Sequence, residues 1–116
     1  MDSQIDLSDR IERQEAFEER AGISMEALSA FATWDGELSG GWTVTVRGEA
    51  HARAENRIPA SIRMLAALYD ADGRVVRNLD GEIRAEHFFV FEAFELRASW
   101  LPQGTYSRVL VFPVAS

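Results

Sequence analysis

Two histidines, His51 and His87, are the only side chains that titrate near neutral pH without help from their surroundings. If they met across a sheet they would make a metal site with Glu49 or Glu86. No HxH or HExxH pattern is present, however, and their spacing is not that of a ligand set. They read as two unrelated strand residues, and no metal ligand is assigned. Asp70, Asp72 and Asp80 raise the question of calcium. An EF-hand loop counted from Asp70 needs glycine sixth and glutamate twelfth, whereas Gly73 comes too early and the twelfth residue is Gly81. These aspartates read as turn formers. None of the nine serines lies in G-x-S-x-G or S-x-x-K. Gly36, Gly40 and Gly41 precede a strand pattern rather than a helix, so they do not make a phosphate loop. Glu92 and Glu95 fall on opposite faces of one strand and cannot face each other across a cleft, as a glycosidase pair does. Cysteine is absent, which removes thiolate nucleophiles, zinc-thiolate sites, iron–sulfur clusters and disulfides. The expectation is a non-enzyme with no catalytic residues and no cofactor.

The aromatic residues carry more information. In the stretch Phe88 to Phe94, alternation points Phe88, Val90 and Phe94 one way and Phe89 and Phe91 the other. A sheet with one wet face has polar residues on it, so an apolar second face needs cover. Ile11, Phe17 and Met25 from the N-terminal segment, a second copy of the chain, or a ligand would supply it. Phe89, Phe91, Ile11 and Phe17 are therefore the candidate interface residues. Trp34, Trp42 and Trp100 offer an alternative, a stacking platform for sugar rings or another small ligand, although tryptophan is also at home inside a β-sandwich core.

These residues must be positioned by a mainly β chain. Residues 42–54 alternate strictly. Trp42, Val44, Val46, Gly48, Ala50 and Ala52 fall on one side, and Thr43, Thr45, Arg47, Glu49, His51 and Arg53 on the other, which predicts a half-buried antiparallel strand. Residues 60–69 form the next strand, and Asp70-Ala71-Asp72-Gly73 a hairpin turn in which glycine supplies positive φ. Residues 74–79 return, Asp80-Gly81 makes a second turn, residues 82–98 hold a long strand, and residues 105–114 the last. Ahead of these, residues 8–21 read as a helix capped by Ser8 or Asp9 and ended by Gly22. Residues 23–35 read as a helical start that becomes a strand near Phe31. The pattern predicts an acidic helical arm over residues 1–27 and an antiparallel β-sandwich of six or seven strands over residues 28–116.

The passage Val46-Arg47-Gly48-Glu49, followed by Leu68-Tyr69-Asp70-Ala71-Asp72-Gly73-Arg74-Val75-Val76, resembles FxLYD-type domains and related bacterial immunoglobulin-like sandwiches. Leu101-Pro102-Gln103-Gly104-Thr105-Tyr106 is similar to the Leu-Pro-x-Gly-x-Tyr approach to a late strand in many such domains. Ala66 stands where that pattern has Phe, and no Asn-rich segment follows the Gly48 strand. The resemblance implies an immunoglobulin-like fold and a non-catalytic module for protein–protein or cell-surface interaction, and it brings no catalytic residues.

Composition sets the remaining bounds. The 116 residues suit one domain, and 47% hydrophobic with 27% charged residues is a globular balance. A net charge of −7 argues against nucleic acid as a partner. Residues 1–27 hold eight acids against three arginines, while residues 28–116 are nearly balanced. All twelve basic residues are arginine, as the codon usage of a GC-rich genome would give. No run of about 18 apolar residues predicts a membrane span. No basic start followed by an apolar stretch marks a signal peptide, so the cytoplasm is the expected compartment. The expected partner is a protein, with a homo-oligomer foremost.

Overall fold

The computed structural model describes residues 4–34, 41–102 and 104–115. Strands hold 67% and helix 12% of them, and the strands form two sheets of four. In chain order the elements are β1 (Gln4–Asp6), β2 (Ile11–Arg13), α1 (Glu15–Ala21), β3 (Ile23–Trp34), β4 (Trp42–Ala52), β5 (Ile62–Asp70), β6 (Val75–Ile83), β7 (Phe91–Leu101) and β8 (Tyr106–Ala115). The first sheet runs β1-β3-β4-β7 and the second β2-β8-β5-β6. All neighbours are antiparallel except β2 and β8, which are parallel.

The alternation read from residues 42–54 is realised over Trp42–Ala52. Val44, Val46, Gly48 and Ala50 are buried, while Arg47 is exposed and Glu49 and His51 are half-exposed. From the facing sheet Ile62, Met64, Ala66, Leu68, Val109 and Val111 complete one shared core. Gly48 lies on the inner side for a steric reason. A Cβ there would stand 2.6 Å from Leu28 Cδ2 and 2.7 Å from Phe94 Cζ. The Asp70–Gly73 hairpin also forms as read. Gly73 has φ +81°, and Asp70 Oδ1 accepts the N–H groups of Asp72 and Arg74, each at 2.9 Å.

Three stretches differ from the sequence reading. Residues 8–21 are not one helix. A 3-10 turn at Ser8–Arg10 leads into β2, and only Glu15–Ala21 is α-helical, closed by Gly22 at φ +78°. Ser8 caps nothing. Its hydroxyl donates to the Ala30 carbonyl at 3.3 Å and accepts the Ala30 N–H at 3.1 Å, which ties the segment to β3 while Leu7 enters the core. Residues 23–30 are strand rather than helix, so the expected boundary at residue 27 falls inside β3. A bulge between Glu26 and Ser29, with Ala27 at φ +54°, switches which residues face inward. Ile23 and Met25 before it and Ala30 and Ala32 after it are all buried, so the period of two breaks in mid-strand. Finally, Asp80-Gly81 is not a turn. β6 continues to Ile83, with Gly81 opposite Met64 and pressed against the other sheet, where a Cβ would stand 2.8 Å from Leu96 Cδ2. The glycine serves close packing between sheets, and the long strand expected over residues 82–98 is split between the end of β6 and the start of β7.

Candidate functional site

The segment from β6 to β7 crosses from one sheet to the other and builds an exposed aromatic corner. After Ile83, a 3-10 turn (Ala85–His87) is held by the Ala85 N–H donating to Ser61 Oγ at 2.9 Å. Phe88 then enters the core completely. Phe89, Val90 and Phe91 follow in the open, with 61%, 38% and 48% of their surface exposed. The Phe91 N–H donates to the Phe89 carbonyl at 2.8 Å across Val90, whose φ is +68°. This is a γ-turn of the positive-φ kind, the rare and strained variety, and β-branched residues avoid it most. Two further bonds lock it. The Val90 N–H donates to the Asn56 carbonyl at 2.8 Å, and the Ala52 N–H donates to the Val90 carbonyl at 2.9 Å. Glu55 and Asn56, on the supporting connection, also lie at positive φ (57° and 58°).

Side chains around the corner hold its rings in place. The His51 imidazole stacks on Phe91, with centroids 5.1 Å apart and planes at 12°. The Arg57 guanidinium lies 5.3 Å over the Phe89 ring and donates to the Phe88 carbonyl at 3.0 Å. Arg53 Nε donates to the Ile23 carbonyl at 2.6 Å. Both arginines line a shallow recess of about 410 Å³ beside the corner, with Gly22, Ile58 and Pro59.

The cover expected for Phe89 and Phe91 is not supplied by the N-terminal segment. Phe17 packs on Phe112 of β8, with centroids 5.4 Å apart, and Ile11 pairs with Val109. Both therefore serve the second sheet, and Met25 is core. The reason is register. β2 joins the β8 edge, so α1 is laid over the outer side of β8, which is itself apolar at Leu110 and Phe112. Of the four candidate interface residues, the fold brings Phe89 and Phe91 together and places Ile11 and Phe17 elsewhere. Val90 is exposed and not inward with Phe88 and Phe94, because the turn rotates it out.

His51 lies beside Glu49, as considered from the sequence, and beside Glu26, which spacing did not show. Glu26 of β3 pairs directly with Glu49 of β4. His51 Nε2 stands 3.0 Å from Glu26 Oε2 and 2.9 Å from Glu49 Oε1. His87 lies in the exposed 3-10 turn and is not part of this group. Other carboxylates weighed in the sequence are engaged away from this group. Asp80 pairs with Arg63 at 2.5 Å and Glu95 with Arg47 at 3.4 Å, while Asp70 is spent on its turn.

At the opposite end of β4, Trp34 and Trp42 meet at 5.4 Å with planes at 58°. Trp42 Nε1 is buried and has no hydrogen-bond partner among the described residues. Trp100 is 68% exposed on a residue at φ +65°, where the β4–β7 register shifts.

A charged residue that periodicity missed is Glu18. It is fully buried, bound to Arg13 at 2.6 and 3.2 Å, and it accepts the Met25 N–H at 2.9 Å. The hydrogen bond to Glu18 holds the Arg13 guanidinium above its ordinary range. Burial pushes the Tyr106 phenol up, and the Ser8 N–H holds the Asp6 carboxyl down.

Among the described residues no helix is long and apolar enough to cross a membrane. No family model, curated protein or solved structure matches the chain.

Proposed function

We propose that this chain is a non-catalytic protein–protein interaction module, an immunoglobulin-like β-sandwich that pairs with a second copy of itself through the Phe89–Val90–Phe91 corner. The observation that carries this reading is the corner itself. Three consecutive apolar residues stand in solvent on a turn that places a β-branched residue at φ +68°. Such strain costs on the order of 1–3 kcal/mol and persists where presenting the side chains matters. Burying one phenylalanine returns about 1.5–3 kcal/mol.

Two features support the immunoglobulin-like reading. The pairings β3-β4-β7 and β6-β5-β8 follow the A-B-E and C′-C-F order of such chains, with β2 lying beside β8 where strand G would stand. Tyr106, at the start of β8, donates its hydroxyl to the Pro102 carbonyl at 2.6 Å, in the manner of a tyrosine corner.

Sedimentation equilibrium of the full chain tests the proposal, with Phe91→Glu as the variant. The expected result is a concentration-dependent dimer for the parent chain and a folded monomer for Phe91→Glu. A parent chain that stays monomeric into the 100 μM range would remove self-association. The exposed Trp100, with Trp34 39% exposed near the same end, favours a second reading as a small-ligand or carbohydrate-binding domain. Tryptophan fluorescence titrated with a glycan panel separates the two, and a flat response eliminates the second.

A further inference from the structure

Glu26, Glu49 and His51 offer three ligand atoms that all lie within 4.8 Å of one another on the outer face of the first sheet. We infer that they form a binding site for a divalent transition-metal ion of the zinc class, with His51 Nε2 and one carboxylate oxygen from each glutamate as ligands.

Three observations lead there. The first is electrostatic. Glu26 and Glu49 are directly opposed across β3 and β4, and like charges in that position repel. The arginines on this side of β4 are occupied elsewhere: Arg47 is engaged with Glu95 and with the Phe31 ring, and Arg53 with the Ile23 carbonyl. The second is a hydrogen count. A ring nitrogen carries at most one hydrogen, yet two carboxylate oxygens sit at 2.9 and 3.0 Å from the same Nε2. One N–H aimed at one acceptor leaves the other badly served. A cation placed on the Nε2 lone pair satisfies the nitrogen and both carboxylates together.

The third observation is spacing. Ligands about 2.0–2.1 Å from a tetrahedral zinc ion stand roughly 3.4 Å apart. The two separations from Nε2 need to open by only about half an ångström, and the two carboxylate oxygens lie within 4.8 Å of each other, adjustments within the reach of glutamate rotamers. The imidazole is also held in orientation by its stack on Phe91, as metal-binding histidines require. The ligand chemistry narrows the ion. One imidazole with two carboxylates suits zinc, nickel or cobalt, whereas calcium and magnesium take all-oxygen sets. All three side chains touch water, so the remaining coordination positions go to solvent.

The test uses the full chain, treated with chelator and titrated with zinc chloride by calorimetry, together with ¹H–¹⁵N spectra of the imidazoles. The expected result is one bound equivalent, with the His51 Nε2 resonance displaced and the His87 ring unmoved. Glu49→Gln weakens binding by about tenfold or more. His51→Gln abolishes saturable binding, and His87→Gln leaves it unchanged. The inference is overturned by an absence of saturable binding to the parent chain, or by equal affinity in His51→Gln. It is also overturned by spectra showing an Nε2-protonated His51 that zinc does not alter, which would make the group an ion-paired imidazolium. The titration and spectra of the parent chain decide the inference even where a variant fails to fold.

Discussion

Replacing Glu18 should expose how the N-terminal segment is fastened. Its carboxylate is fully buried, takes two bonds from Arg13 and accepts the Met25 N–H. In Glu18→Ala the Met25 N–H is left buried without a partner, a loss of about 1–3 kcal/mol. The ion pair adds less than the 3–5 kcal/mol typical of breaking a wholly buried pair. Arg13 is 39% exposed and water takes it back, so roughly 1 kcal/mol is the appropriate share. The expected total is about 2–4 kcal/mol, a large fraction of the 5–15 kcal/mol that holds a typical domain. Glu18→Gln keeps an acceptor for Met25 and surrenders only the charge, so about 1–2 kcal/mol is expected. Urea unfolding followed by circular dichroism reads both values, and the double variant with Arg13→Ala isolates the pair. A loss below about 0.5 kcal/mol in Glu18→Ala, or equal losses in the two variants, would refute the argument that the Met25 bond carries most of the effect.

Two further outcomes follow from the backbone and from burial. Val90→Gly relieves the positive φ of the γ-turn and should raise the urea midpoint by the equivalent of about 1 kcal/mol, net of the extra entropy of the unfolded chain; a lower midpoint would show that Val90 packs and is not strained. Burial raises the folded-state Tyr106 phenol above its unfolded value near 10. The folded state thus holds that proton more tightly, and the associated stability is intact below about pH 10 and lost as pH climbs through the raised value. Unfolding free energies measured from pH 8 to 11.5 should show this decline in the parent chain and less of it in Tyr106→Phe; identical slopes would contradict it.

The parts of the fold that were legible in sequence are those where one physical rule acts alone. Residues 42–52 alternate because one side of β4 meets the core, while the other carries polar residues that, Thr45 apart, reach water. Asp70–Gly73 is a turn because aspartate accepts from its own backbone and glycine takes positive φ. Legibility failed where two demands overlapped. β2 is three residues long, too short to show any period, and its neighbours are good helix formers, so local propensity spoke for helix while pairing with β8 decided otherwise. At Ala27 a bulge hides the strand by shifting its parity. Gly81 has the chemistry of a turn but is there because Leu96 leaves no room for a side chain. The aromatic corner was half legible. Apolar residues on both sides of Phe88–Phe94 signalled an uncovered surface, but not the γ-turn that presents it. The group around His51 was half legible: Glu49 was considered beside it, but Glu26 was not, because the Glu26–Glu49 pairing depends on a register that the bulge sets.

The parallel union of β2 with β8 has a consequence for how the molecule comes apart. β2 pairs with Val109–Val111, and it is flanked by the Leu7 anchor on one side and the Glu18 clamp on the other. If those fastenings release together with the β1–β3 pairing, the Ser8–Ala30 bonds and the Phe17–Phe112 contact, residues 4–21 peel away as a unit while the rest of both sheets stays intact. The bared margin of β8 would then present unpaired backbone beside buried valines, a vacancy that the same segment of a neighbouring molecule fits as well as its own. Partial opening at this seam thus leads toward strand exchange between chains before it leads to a random coil.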